Sequence, residues 1–178
     1  MSVSNSLVCV DTHVLIWGIK KEASPGQEAM IPRAERYLEN LESEGATIMV
    51  PAVVLAEVLA KVPLESHPVI MGRMGECFVA HPFDAEAALE YSHIWYEWEK
   101  RKPLSEIPES ELSNEQKNSY KRHIKADFMI MATAIVGGAS LIVSHDPLLH
   151  KLANFYPGCP RVIEIPFVIG QGELQLDS

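Results

Sequence analysis

Apolar and polar positions along this chain follow two periods, and the changes of period mark its elements. Leu7 to Val10 is a short apolar run ending at Asp11-Thr12. It predicts a strand, then a helix capped by Asp11 or Thr12 that runs through His13-Val14-Leu15-Ile16-Trp17 and stops near Gly18. Lys20 to Gln27 carries Pro25-Gly26 and reads as a loop. Pro32 opens a second helix with Ala34, Tyr37, Leu38 and Leu41 as its apolar stripe, and Gly45 closes it. Thr47 to Val50 is the next strand. The helix begun by Pro51, AVVLAEVLAKV, is apolar on nearly every side except at Glu57 and Lys61, the pattern of a buried helix. Pro63 ends it, and another helix is expected over Val69 to Gly75. Cys77 to Ala80 is a third strand, and Asp84 caps a helix with Ala88, Tyr91, Trp95 and Trp98 on one face.

From about residue 101 to 118 the chain turns polar, with Pro103, Pro108 and many Ser and Glu, and reads as an irregular connector. A helix from about Glu115 to Val136 follows, then a strand from Ser140 to Val143, a helix over Pro147 to Ala153, and a last strand from Val162 to Ile165. Strands alternating with helices predict an α/β fold of three layers, α/β/α, around a central, mostly parallel sheet of about four to five strands. Residues 1–178 form one expected domain, with no internal repeat.

The stretch from Lys125 to Asp146 fixes where chemistry belongs in that fold. Asp127 and Asp146 bracket almost entirely apolar sequence with a Gly137-Gly138 stop. A helix from Asp127 to Gly137 descends about 15 Å. A strand from Ser140 to Ser144 climbs back about 13 Å. Both acids therefore return to the carboxyl end of the sheet, where open α/β folds carry their ligand sites. Asp11 follows the first strand to the same rim, and Glu57 lies in the second turn of the helix leaving the second strand. All four acids can converge.

Each acid also has a plain structural use. Asp11 and Asp146 suit helix caps, Glu57 has Lys61 four residues on as a partner, and Asp127 shares its face with the core-directed Met131, Ala134 and Ile135. Together they are more specific than any one of them. Carboxylates crowded in a partly dry pocket either take up protons or recruit a cation. An all-oxygen donor set favours Mg²⁺ or Mn²⁺ over Zn²⁺, and such ions act on phosphodiesters. Thr12 and Ser144 flank the acids as supporting hydroxyls. His13, His145 and His150 lack ligand spacing and are expected to be structural or solvated.

Composition narrows the function classes. A net charge of −9 excludes a general polyanion-coating protein, yet clustered acids with bound metal can invert the local sign. The basic residues crowd one region: Lys100, Arg101, Lys102, Lys117, Lys121, Arg122 and Lys125. The last four of these are predicted to project above the rim as a basic arm suited to phosphates. No apolar run is long enough to span a bilayer, and no secretory signal is present, so a cytoplasmic, membrane-free protein is expected. Three widely spaced cysteines, Cys9, Cys77 and Cys159, read as free buried thiols. Val14, Trp17 and the region near Trp95 are candidates for a dimer face. No P-loop, GxGxxG or GxSxG motif is present. A receiver-like phosphoacceptor would need paired acids after the first strand, where Thr12 instead follows Asp11.

VDTHVLIW at 10–17, PAVVLAEVLAKV at 51–62, KADFMIMATAI at 125–135 and SHDPLLHKL at 144–152 resemble, in order and context, the four motifs of PIN-domain ribonucleases. The VapC-type toxins of toxin–antitoxin pairs are the nearest match. The resemblance implies that Asp11, Glu57, Asp127 and Asp146 are the catalytic, metal-binding acids, with Thr12 and Ser144 as their companions. It also implies Mg²⁺- or Mn²⁺-dependent endoribonuclease activity, frequent homodimers, and an antitoxin partner whose segment blocks the site. The stretch from about Arg101 to His123 looks longer than compact family members carry. It leaves open a PIN nuclease outside a toxin–antitoxin pair, and a non-catalytic module binding RNA or protein is the further alternative.

Overall fold

The computed structural model describes residues 6–75, 77–101 and 113–167, without the side chains of residues 114 and 116–119. Five strands form one sheet: β1 (Leu7–Val10), β2 (Thr47–Pro51), β3 (Phe78–His81), β4 (Leu141–Val143) and β5 (Arg161–Ile163). Their spatial order is β3-β2-β1-β4-β5, and every neighbouring pair is parallel. The central strands read as continuous apolar runs because both faces are covered; Cys9, Val10, Ile48, Met49, Ile142 and Val143 are all buried.

Seven α-helices flank the sheet among the described residues: α1 (Thr12–Leu15), α2 (Met30–Ser43), α3 (Ala52–Leu59), α4 (His67–Arg73), α5 (Ala85–Arg101), α6 (Asn114–Val136) and α7 (Pro147–Phe155). From β1 to β2 to β3 the chain steps one way across the sheet; β3 to β4 to β5 runs the other way. Right-handed crossovers therefore place α1 to α4 over one face and α5 to α7 over the other. The direction reverses between β1 and β4, where Cys9 is in register with Ile142 and Val10 with Val143. That junction is the crevice where a ligand site is expected.

Several details depart from the sequence reading. The first helix does not stop at Gly18. It widens after Leu15 into a π-helical turn over Ile16–Lys20, closed by Lys21 in the left-handed conformation at φ 62°. Gly18 is a packing residue, because a Cβ there would stand 2.5 Å from Leu38 Cδ1 on α2. Gly138, by contrast, is the expected stop of α6, at φ 72°. The apolar helix α3 ends at Leu59 and buries only Val54 and Val58, so its apolar surround is half-covered rather than enclosed. On α5 the buried face is Ala87, Ile94 and Trp98, with Ala88 exposed. Tyr91, Trp95 and Trp98 ring Phe128 of α6 at centroid distances of 6.3, 5.9 and 6.2 Å.

Val14 and Trp17 lie in the core and supply no dimer face. The large exposed apolar side chains include Leu64, Val69, Met71 and Val79, around α4 and the edge strand β3. α6 begins at Asn114, so the end of the expected connector is helical, while residues 102–112 lie outside the described residues. No helix of the described residues is long and apolar enough to cross a membrane. The three cysteines are free; Cys9 is buried, whereas Cys77 and Cys159 are partly exposed.

Candidate active site

Asp11 sits one residue past β1 with its backbone N–H bonded to Val143 O of β4 at 3.0 Å, so the sheet itself fixes its height. Its extended backbone makes it the N-cap of α1, and Oδ1 accepts from Thr12 N–H at 2.6 Å. Oδ2 accepts from Ser144 Oγ, also at 2.6 Å. The cap thus uses one carboxylate oxygen, and Ser144 holds the other. Asp146 repeats the arrangement at the other strand. It caps α7 by accepting from Leu148 N–H at 2.7 Å, while its own N–H donates to Ser144 Oγ at 3.0 Å.

Glu57 does not pair with Lys61. Its Oε2 accepts from Thr12 Oγ1 at 2.6 Å, which draws α3 to the end of β1. Glu57, Thr12, Asp11, Ser144 and Asp146 therefore form one continuous row of short hydrogen bonds along the rim. Ser144 is fully buried and Thr12 and Asp11 nearly so. Hydrogen bonds to ionised carboxylates are the stronger kind, so each hydroxyl orients the acid it touches.

Asp127 reaches this row from α6, two-thirds of the way along that helix. It is only 7% exposed, yet its Oδ2 is buried without a hydrogen-bond partner. Burial, then the charges of Asp146, Asp11 and Glu57, lift its carboxyl to about 8. That shift is the electrostatic signature of convergence: the three other acids act on Asp127 at once. Among the described residues, no group of three or more His, Cys, Asp or Glu side chains is placed so that it could hold a metal ion as it stands. The donor set still fits a hard divalent cation. All four acids offer oxygen, and a buried carboxylate oxygen with no partner beside three like charges is relieved by a cation.

Histidines border the acids. His13 Nδ1 lies 3.9 Å from Asp11 Oδ2, an ion-pair distance, and the Asp11 side chain holds the imidazole above its ordinary pKa against the lowering effect of burial. His145 is shifted down, first by burial, and its Nε2 accepts from Ile165 N–H at 3.1 Å. His150 Nε2 lies 2.8 Å from Ser144 O and supports the β4 exit.

The basic residues of α6 are placed differently from the acids. Lys121, Arg122 and Lys125 are exposed, and Lys125 Nζ lies 5.9 Å from the Trp95 ring on the α5 side. At about 100° per residue they stand well round the helix from Asp127. The Lys117 side chain lies outside the described residues. Residues four and seven before Asp127, His123 and Tyr120, share its azimuth instead. That helical spacing is a signal the sequence contained.

The family model for the PIN domain matches residues 8–154. Among solved structures, VapBC2 from Rickettsia felis, bound to a DNA fragment from its promoter, is similar at 17% identity and a TM-score of 0.59; the alignment covers 89% of this chain and 98% of that one. DNA-bound VapBC from Salmonella typhimurium is similar at 18% identity and a TM-score of 0.53, covering 90% and 99%. At these identities the likeness is one of fold. No curated protein matches the chain.

Proposed function

Since the chain belongs to the PIN domain family, we propose that it is a metal-dependent endoribonuclease, with Asp11, Glu57, Asp127 and Asp146 as its catalytic acids. The observation that carries this reading is the buried, partnerless Oδ2 of Asp127 facing the charges of Asp146, Asp11 and Glu57. A structural carboxylate would be satisfied by the fold, as those of Asp11 and Asp146 are at their caps. Asp127 Oδ2 has no hydrogen-bond partner among the described residues, and a cation would supply one.

The four acids would hold Mg²⁺ or Mn²⁺. When bound, such an ion neutralises the phosphate and lowers the pKa of water for attack on phosphorus. The chain's own contributions are positional. Thr12 Oγ1 and Ser144 Oγ hold Glu57 and Asp11 in single orientations, and β1 and β4 fix the two caps at one height. Burial of Asp127 strengthens the charge interactions made with it. Hydrolysis would leave 5′-phosphate and 3′-hydroxyl ends.

Lys121, Arg122 and Lys125 are proposed to contact RNA outside the acid cluster, attracting backbone phosphates from the flank of α6. The VapBC complexes of similar fold support assignment as the toxin of a toxin–antitoxin pair, with an antitoxin as partner; a second copy of the chain and a cytoplasmic location belong to the same proposal. The test is cleavage of structured RNA with Mg²⁺ or Mn²⁺ by the wild type, Asp11→Asn and Asp127→Asn, each checked for folding by thermal melting. Cleavage by the wild type alone, abolished by EDTA, is expected. Activity that survives either substitution or excess EDTA rejects the mechanism.

A further inference from the structure

One aromatic ring at the rim has no use in the scheme above. His13, in the first turn of α1, has a side chain 48% exposed, although its Nδ1 is 3.9 Å from Asp11 Oδ2. Its ring is backed by Trp17, one helical turn on, at a centroid distance of 5.4 Å and an interplanar angle of 35°. Trp17 is 2% exposed and also meets His145, edge-on at 5.2 Å. The imidazole is thus backed by a buried ring and half-exposed beside Asp11.

We propose that the open side of His13 is a stacking platform for the nucleobase next to the scissile phosphate. The inference rests on the nuclease reading and adds to it a substrate feature. The base beside the cut must be free to leave its neighbours and lie on the imidazole, as bases do on aromatic side chains in single-stranded recognition. A histidine serving only the core would not be half-exposed against a buried tryptophan. One serving only as a partner to Asp11 would not need that backing.

Stacking of one base contributes about 1–3 kcal/mol, a factor of roughly 5 to 150 in binding. The experiment pairs a protein change with a substrate change. A short single-stranded RNA of mixed sequence, with its cut site mapped, is compared with the same RNA carrying an abasic ribose beside that site. For the wild type, the abasic RNA should raise KM about tenfold. His13→Ala should show that higher KM on the intact RNA and lose nothing further on the abasic one, while His13→Phe should restore discrimination. Equal abasic penalties in wild type and His13→Ala overturn the platform and leave the nuclease reading standing. So does His13→Phe behaving as His13→Ala. If the wild type neither binds nor cuts either RNA with Mn²⁺ present, the nuclease reading falls and takes this inference with it. The abasic arm uses unaltered protein, so an unstable variant does not silence the test.

Discussion

Ser144 and Asp11 are 133 residues apart in sequence and joined by a 2.6 Å hydrogen bond from Ser144 Oγ to Asp11 Oδ2. The same hydroxyl accepts from Asp146 N–H. One buried oxygen therefore sets the spacing between the acids that end β1 and β4. Ser144→Ala leaves Asp11 Oδ2 and the Asp146 amide without this partner. The expected cost is about 1–3 kcal/mol, seen as a melting temperature several degrees lower, with Mn²⁺ affinity reduced about tenfold. Melting curves and metal titration check both; an unchanged Mn²⁺ affinity would show that Ser144 does not orient Asp11.

Asp127 gives a pH dependence whose sign is opposite to that of a salt-bridged acid. Its carboxyl is raised to about 8 in the folded chain, against about 3.9 when unfolded. Below the lower value both states are protonated and burial carries no charge penalty. As pH rises toward 8 the folded state loses stability, by an order of a few kcal/mol. In EDTA, Asp127→Asn should therefore melt near the wild type at pH 4 and several degrees above it at pH 8. Parallel melting temperatures across that range would refute the assignment.

Metal should reverse that loss. Adding Mn²⁺ at pH 8 should raise the melting temperature of the wild type, because a ligand bound only by the folded state stabilises it. Asp127→Asn should show a much smaller rise. Equal shifts in the two proteins would place the ion elsewhere.

The exposed basic residues of α6 predict a different kind of effect. Lys121→Ala with Arg122→Ala should raise KM for RNA several-fold and flatten the slope of log affinity against log salt by about 1.4, the value for two phosphate contacts on a single strand. An unchanged slope would make these residues a solvated helix face.

The order of elements was legible in the sequence because its signals are local. Alternation of apolar runs with capped stripes located five strands, and the return of α6 and β4 to one level placed Asp127 beside Asp146. What stayed hidden depends on contacts between distant segments. Nothing near Gly18 announces that Leu38 will occupy the space of its missing side chain. Glu57 looks like half of a pair with Lys61 until α3 is docked and Thr12 is nearer. The apolar surround of α3 suggested full burial, yet only Val54 and Val58 are enclosed. The alternatives weighed for Asp11 and Asp146, cap or site, do not exclude each other, since each cap uses one carboxylate oxygen.

The insertion of β4 beside β1, with β2 and β3 on the other flank, has a consequence for synthesis. β1 is made first, but its neighbour on the site's side is made more than a hundred residues later. Ser144 and Asp146 arrive with that strand. Between the synthesis of Glu57 and that of Ser144, a growing polypeptide therefore carries Asp11 and Glu57 without the groups that complete the rim. A chemistry aimed at RNA would be withheld while the ribosome is still making the protein. Ribosome-bound chains halted before Ser140 should give no Mn²⁺-dependent RNA cleavage, whereas full-length chains tethered by a linker should; cutting by the shorter chains would contradict this.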